Sequence, residues 1–172
     1  MRDKRFIAAH RGGPLSREDH VLLARWAADC AEGVLHLFTR SSDDERPRAA
    51  LDTARRWANG EVKTGAAMKA SLAAHAAARG AGDKAAVAAA RAAGQAVATA
   101  HFADHCMGAL LYAMKALETS GVSADSEFRL QISKLPARLR EPVSEGVLLR
   151  FRKLGIRRPG PPDNVSCGGR SK

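Results

Sequence analysis

Residues 83–119 read DKAAVAAARAAGQAVATAHFADHCMGALLYAMKALET. Alanine has the best helix propensity of any residue, and no proline interrupts the stretch. Asp83 is placed to cap its start and Ser120-Gly121 to stop it. The pattern predicts one long central helix over about 83–119, with Gly94 and Gly108 as places for a kink. At 100° per residue Arg91, Gln95 and Thr99 mark one side of that helix. His101, Asp104, Gly108 and Leu111 then point the opposite way, with His105 nearer the flank. Ionisable groups turned toward a core must be hydrogen-bonded, paired or ligating. His101, Asp104 and His105 are therefore where an active site, a metal site or a structural polar network is expected.

Amphipathic stretches flank this segment on both sides. Leu23, Trp26, Ala27, Cys30, Val34, Leu37 and Phe38 recur at helical spacing, which predicts a helix over about 16–39 with Ser16 as its N-cap. A second helix is expected over 45–59, with Pro47 in its first turn and Asn59-Gly60 at its end. A third, over 64–79, turns Ala67, Met68, Leu72 and Ala76 inward. Ser123 opens a fifth over 124–134. Pro136 and Pro142 bracket a short segment before a last helix over 143–154. Period-two alternation is absent and β-branched residues are scarce, so no strand is expected. The fold class is all-α: a compact single-domain helical bundle of about six helices around a long central alanine-rich helix. Large anchors are few. They are Leu22, Leu23, Trp26, Leu37, Phe38, Trp57, Leu72, Leu110, Leu111, Met114, Leu130, Leu148 and Phe151.

The net charge of +10 sits at the ends. Residues 1–17 carry +4 and residues 150–172 carry +6, while 18–149 hold 16 charges of each sign. Residues 1–15 therefore read as a basic arm, 16–154 as the helical domain and 155–172 as a disordered basic tail. Short basic ends of this kind read first as solvated tails, with a weak, salt-sensitive hold on nucleic acid or acidic protein as the alternative. Three cysteines, Cys30, Cys106 and Cys167, make no CxxC pair, which argues for a reducing, cytoplasmic setting. No signal-peptide run opens the chain. The apolar stretch 85–117 carries too many polar and charged residues to be a membrane span.

His101 and His105, four residues apart, can present two imidazoles to one point, as metal-binding helices do. Asp104 is a third ligand or a group that orients a histidine. The HExxH pattern is missing, so further donors must come from His20, His36, His75 or Glu32. No serine or thiol is placed by motif as a nucleophile, and no catalytic residue is assigned. Phosphate-loop, dinucleotide and zinc-finger patterns are absent, so no cofactor is expected. Arg46, Arg48, Arg55 and Arg56 surround the second helix. They are candidate partner-binding residues, or they pair with Asp43, Asp44, Glu45 or Asp52. Trp57 reads as a core anchor.

Three ordered blocks carry a family resemblance: RFIAAHRGGPLSREDHVLLARWAADCAEGVLHLF (5–38), RPRAALDTARRWANGE (46–61) and ARAAGQAVATAHFADHCMGALLYAMKA (90–116). Together they resemble the Imm-five-like immunity proteins of bacterial polymorphic toxin systems over about 5–118, extending through LPARLREPV (135–143). Arg46, Pro47, Arg48, Trp57, Gly60, Glu61, His101, Asp104 and His105 are family-like positions. The resemblance implies an all-helical cytoplasmic protein that binds and neutralises a cognate toxin without catalysis. The residues themselves leave two alternatives open. One is a metal-dependent helical-bundle enzyme centred on His101, Asp104 and His105, and the other is a nucleic-acid binder acting through the basic termini.

Overall fold

The computed structural model describes residues 3–151, 155 and 156. Seven α-helices occupy most of them: α1 Arg17–Thr39, α2 Arg46–Ala58, α3 Thr64–Gly80, α4 Lys84–Ala98, α5 His105–Thr119, α6 Asp125–Lys134 and α7 Ala137–Leu148. Two short 3-10 turns, Lys4–Phe6 and Ala9–Arg11, precede them. The all-α class holds, and the described residues contain no strand beyond one isolated bridge between Ala8 and Leu15.

Two of the expected caps form as placed, whereas Ser123 does not cap α6, whose N-cap position is held by Ala124. Ser16 Oγ accepts from Asp19 N at 3.0 Å, and Asp83 Oδ2 accepts from Ala86 N at 2.8 Å. Pro47 lies in the first turn of α2. Gly60 follows α2 with φ +80°, a left-handed conformation that glycine adopts at no steric cost.

The long central helix of the sequence reading does not exist as one piece. It breaks after Ala98 and restarts at His105, and its two halves pack on each other more extensively than any other pair. Unbroken, 37 residues would span about 55 Å, while a domain of this size is about 40 Å across. Folding the rod back as a hairpin buries alanine faces that would otherwise meet water. α1, α2 and α3 close around α4, so its eleven buried residues lie on nearly every side. Only Val87, Arg91 and Gln95 form a half-buried stripe.

Helix packing explains a second departure. Met68 and Leu72, expected inward, are 44% and 70% exposed. The buried side of α3 is Ala67, Ser71, Ala74, Ala77 and Ala78. Small residues let α3 approach α4 closely, as short interaxial distances require, and leave no room there for larger side chains. Leu130, another expected anchor, is also exposed. Leu23, Trp26, Leu37, Phe38, Trp57, Leu110, Leu111, Met114 and Phe151 are buried as expected.

The last helix also differs from the expected 143–154. α7 starts at Ala137, directly after Pro136, and carries Pro142 in its interior. The earlier start buries Leu139 alongside Val143, Gly146 and Val147, which offsets the one hydrogen bond that Pro142 cannot donate. Phe151 packs against Phe128 with ring centroids 6.2 Å apart. Ile156, assigned to the tail from sequence, is buried; the rest of the expected disordered tail, 157–172, lies outside the described residues, as does Cys167.

The N-terminal arm is part of the packed body. Phe6, Ala8 and Leu15 are buried, and Arg5 bridges to Glu145 of α7 at 2.7 Å. No helix of the described residues is long and apolar enough to cross a membrane.

Candidate functional site

The break between α4 and α5, residues 99–104, is the centre of the candidate site. It contains no glycine or proline. Its geometry comes from α1: the Nε2–H of His20 donates to the carbonyl of Thr99 at 2.6 Å. That carbonyl lies at the end of α4, where helical carbonyls lack an intrahelical partner. His20 is 1% exposed and packs on Trp57, ring centroids 5.0 Å apart. Burial holds its pKa below the usual histidine value. The Thr99 hydrogen bond opposes this, and the nearby charges of Arg17, His10 and Arg11 add to it. Because its partner is a carbonyl oxygen, the Nε2 of His20 carries a proton. Its Nδ1 is buried without a hydrogen-bond partner among the described residues.

Two clefts open on either side of the break. The first, of about 160 Å³, lies beneath the N-terminal arm, between Phe6, Ile7 and Ala8 on one side and Phe102 and Ala103 on the other. His20, His101, Asp104, Asp3 and Arg11 complete it. The Arg11 guanidinium lies 4.3 Å above the Phe102 ring, a cation–π contact that ties the arm to the break. Asp3 is held below the usual carboxylate range by hydrogen bonding from Arg5.

The second cleft, of about 180 Å³, lies between α3, α4 and α5, and Met68, Ser71, Leu72, His75, Gln95 and His105 line it with Ala98 and His101. Two glycines shape it. A Cβ on Gly94 would sit 2.8 Å from the His75 ring, and one on Gly108 would sit 2.6 Å from Gln95 Oε1. Ser71 Oγ donates to the Gly94 carbonyl at 2.9 Å. Gln95 Oε1 lies 2.7 Å from His105 Nδ1, so that nitrogen carries the proton. Burial, with the charges of Arg91, His105 and Arg79, lowers the His75 pKa.

The sequence-based trio is therefore redistributed. His101, Asp104 and His105 are half-buried at a turn and at the first residue of α5, not on the inner face of one helix. His101 and Asp104 face the arm cleft, while His101 and His105 face the α3 cleft. Gln95 and His105, expected on different sides of one rod, meet because the rod folds back. Among the described residues no group of three or more His, Cys, Asp or Glu side chains is arranged to hold a metal ion. Cys30 and Cys106 are buried, and burial raises both thiol pKa values.

The candidate arginines of α2 all have carboxylate partners. Arg46 pairs with Asp44, and Arg48 with Glu45 at 3.4 Å. Arg55 reaches Asp29 and Glu32 of α1 at 3.2 Å each, and Arg56 reaches Glu61 at 3.3 Å. Sequence proximity found Asp44 and Glu45 but not the α1 acids, which only the packing of α2 on α1 brings near. Trp57 is buried, as expected, with Nε1 donating to Thr64 Oγ1 at 3.2 Å and Arg17 lying 4.8 Å over its ring.

A family model described as Imm-5 like putative immunity protein matches residues 13–138. The chain belongs to this family. Neither a curated protein nor a solved structure matches it. The family match spans α1 to α6 and the start of α7, and so includes both helices of the hairpin and the break between them. Residues 1–12 lie outside the match, although among them Arg11 packs on Phe102 of the break. His20 was legible only as a spare donor for a metal. Its contact with Thr99, 79 positions away, has no local sequence signal.

Proposed function

We propose that this immunity-family chain is non-catalytic and acts in the cytoplasm, binding a cognate toxin protein and neutralising it by covering a surface the toxin needs. Membership of the immunity family carries the reading. The α3 face adds a place for the contact. Leu72 and Met68 stand exposed beside the histidine-lined cleft, where a monomeric protein gains nothing from them. From Val62 to Gly82 the chain carries Lys63, Lys69 and Arg79 and no acid, and none of the three is in an ion pair among the described residues. An apolar patch rimmed by unpaired cations fits a partner with an apolar protrusion in an acidic surround. The α2 arginines are already paired, so α3 is the stronger candidate surface.

The metal-enzyme and nucleic-acid readings draw no comparable support. His105 is held by Gln95, and in the arm Arg5 and Arg11 are engaged within the fold. The test is co-expression with the toxin encoded beside this gene. Growth rescue and a stable complex burying about 1,200–2,000 Å² are expected. Toxicity unchanged by this chain, with no complex on size exclusion, overturns the proposal.

A further inference from the structure

A groove of about 470 Å³ runs between α4 and α5, at the end of the hairpin opposite the break. The register of the hairpin explains its lining. A Cβ on Gly108 would meet Gln95, and the Arg91 guanidinium lies 5.8 Å from the centroid of the Tyr112 ring, a cation–π contact. Two antiparallel helices paired in this way carry Ala88 opposite Lys115 and Lys84 opposite Thr119. Positions 84, 87, 88 and 91 form one stripe of α4, and 112, 115 and 119 one stripe of α5. Both stripes face the groove. Ala88 is small, so the space across from Lys115 stays open.

Lys84, Arg91 and Lys115 therefore share one gap. Among the described residues no acidic side chain lines it; Asp83 caps α4, and Glu118 is not part of the wall. None of the three cations is in an ion pair among the described residues, whereas every arginine of α2 is. Like charges so placed repel one another, and Arg91 and Lys115 are also half-buried. An anion in the groove relieves both costs. Lys84 and Arg91 are separated by about 10 Å along the helix axis, with Lys115 facing the space between them. A row of that length is matched by two linked phosphates better than by one. Each phosphate concentrates charge and three acceptor oxygens on one centre, which suits an arginine fork beside lysine point charges. The volume is that of a small-molecule site, whereas an acidic protein surface would need a far wider contact.

We propose that the α4–α5 groove is a binding site for a small organic diphosphate, the class to which nucleoside diphosphates belong. Arg91 holds one phosphate through its fork, and Lys115 and Lys84 neutralise the pair. Val87 and Ala88 are the apolar floor for the organic part of the ester. The site is separate from the α3 face, and it stands or falls without a toxin.

ADP is the probe, with AMP, citrate and an octaglutamate peptide as comparators. Each is titrated calorimetrically into the full chain without divalent cations, at about 0.15 M ionic strength so that diffuse attraction is screened. ADP is expected to bind saturably at one site, with AMP and citrate about tenfold weaker for want of the second phosphate. Amide shifts on ADP binding are expected to centre on residues 82–91 and 112–119. Lys84→Gln combined with Lys115→Gln should weaken ADP by about tenfold or more, while Lys4→Gln combined with Lys134→Gln, an equal loss of charge at exposed positions elsewhere, should leave it within about twofold. Arg91→Gln is the second variant, and it should weaken ADP by a similar factor. AMP binding as tightly as ADP overturns the diphosphate assignment. Citrate or the glutamate peptide binding more tightly than ADP overturns the phosphate class, and the peptide result would make the groove a protein contact. Absence of saturable ADP binding, equal losses in the two double variants, or shifts centred elsewhere overturn the site.

Discussion

His20 donates from Nε2 to the carbonyl of Thr99 at 2.6 Å, joining the first turn of α1 to the end of α4. Its partner is a helix-terminal carbonyl, and the bond forms where water cannot replace it. His20→Phe retains the ring volume against Trp57 but leaves the Thr99 carbonyl unpaired. The expected cost is about 1–3 kcal/mol, read as a lower urea midpoint with an unchanged slope. A midpoint within error of the parent would show that the bond does not hold the break.

Acid should weaken this fold before its carboxylates titrate. His20 and His75 both have pKa values below the ordinary 6.5, chiefly through burial. The unfolded chain then binds protons that the folded chain does not, so stability rises with pH in this range. The full contribution is present above about 6.5 and is lost as pH falls from there toward the folded-state values. Melting temperature should drop between about pH 7 and pH 5, and the drop should be shallower in His75→Gln. A flat profile over that window contradicts the assignment.

Glycines give opposed expectations. Gly146 of α7 would place a Cβ 2.2 Å from the sulfur of the buried Met107, so Gly146→Ala forces the helices apart and should cost about 1–3 kcal/mol. Gly65, near the start of α3, meets nothing within 4 Å. Gly65→Ala should stabilise by up to about 1 kcal/mol through helix propensity. Chemical denaturation of the two variants distinguishes packing from propensity.

Gly94 tests the α3 cleft. Gly94→Ala gains helix propensity but drives a methyl into the His75 ring. A net loss of about 1 kcal/mol is expected, and it should be reversed in Gly94→Ala combined with His75→Ala, which empties the contact. Additive effects in that double-mutant cycle would mean the two sites do not touch.

Leu72→Asp addresses the partner face. Leu72 is 70% exposed, so stability should change by no more than about 0.5 kcal/mol. If α3 is the docking face, affinity for the cognate toxin should fall by about 30-fold or more, the usual cost of losing an anchor. Unchanged affinity places the interface elsewhere.

Helix content was legible in the sequence because its signals are local. Ser16, Asp83, Pro47 and Asn59-Gly60 act within one turn of themselves, and helix boundaries set by them fall within a residue or two. The candidate site was legible only as a neighbourhood. Residues 101–105 do form its centre, but the pairing of Gln95 with His105 depends on a chain reversal that no breaker announces. Side-chain size misled the reading of α3 as well. Met68 and Leu72 were turned inward for their apolarity, yet the interface with α4 selects for smallness.

By itself the sequence determined an all-helical chain with alanine at its centre, because propensity, capping and amphipathic spacing are properties of neighbouring residues. Tertiary structure alone decided that the central rod breaks at 99–104, and so decided which side chains share a cleft. A helix of 37 residues is longer than the body it must serve, and the alanines gain burial only when the two halves face each other. His20 then meets the buried end of α4, and that contact, made across 79 positions, sets the site.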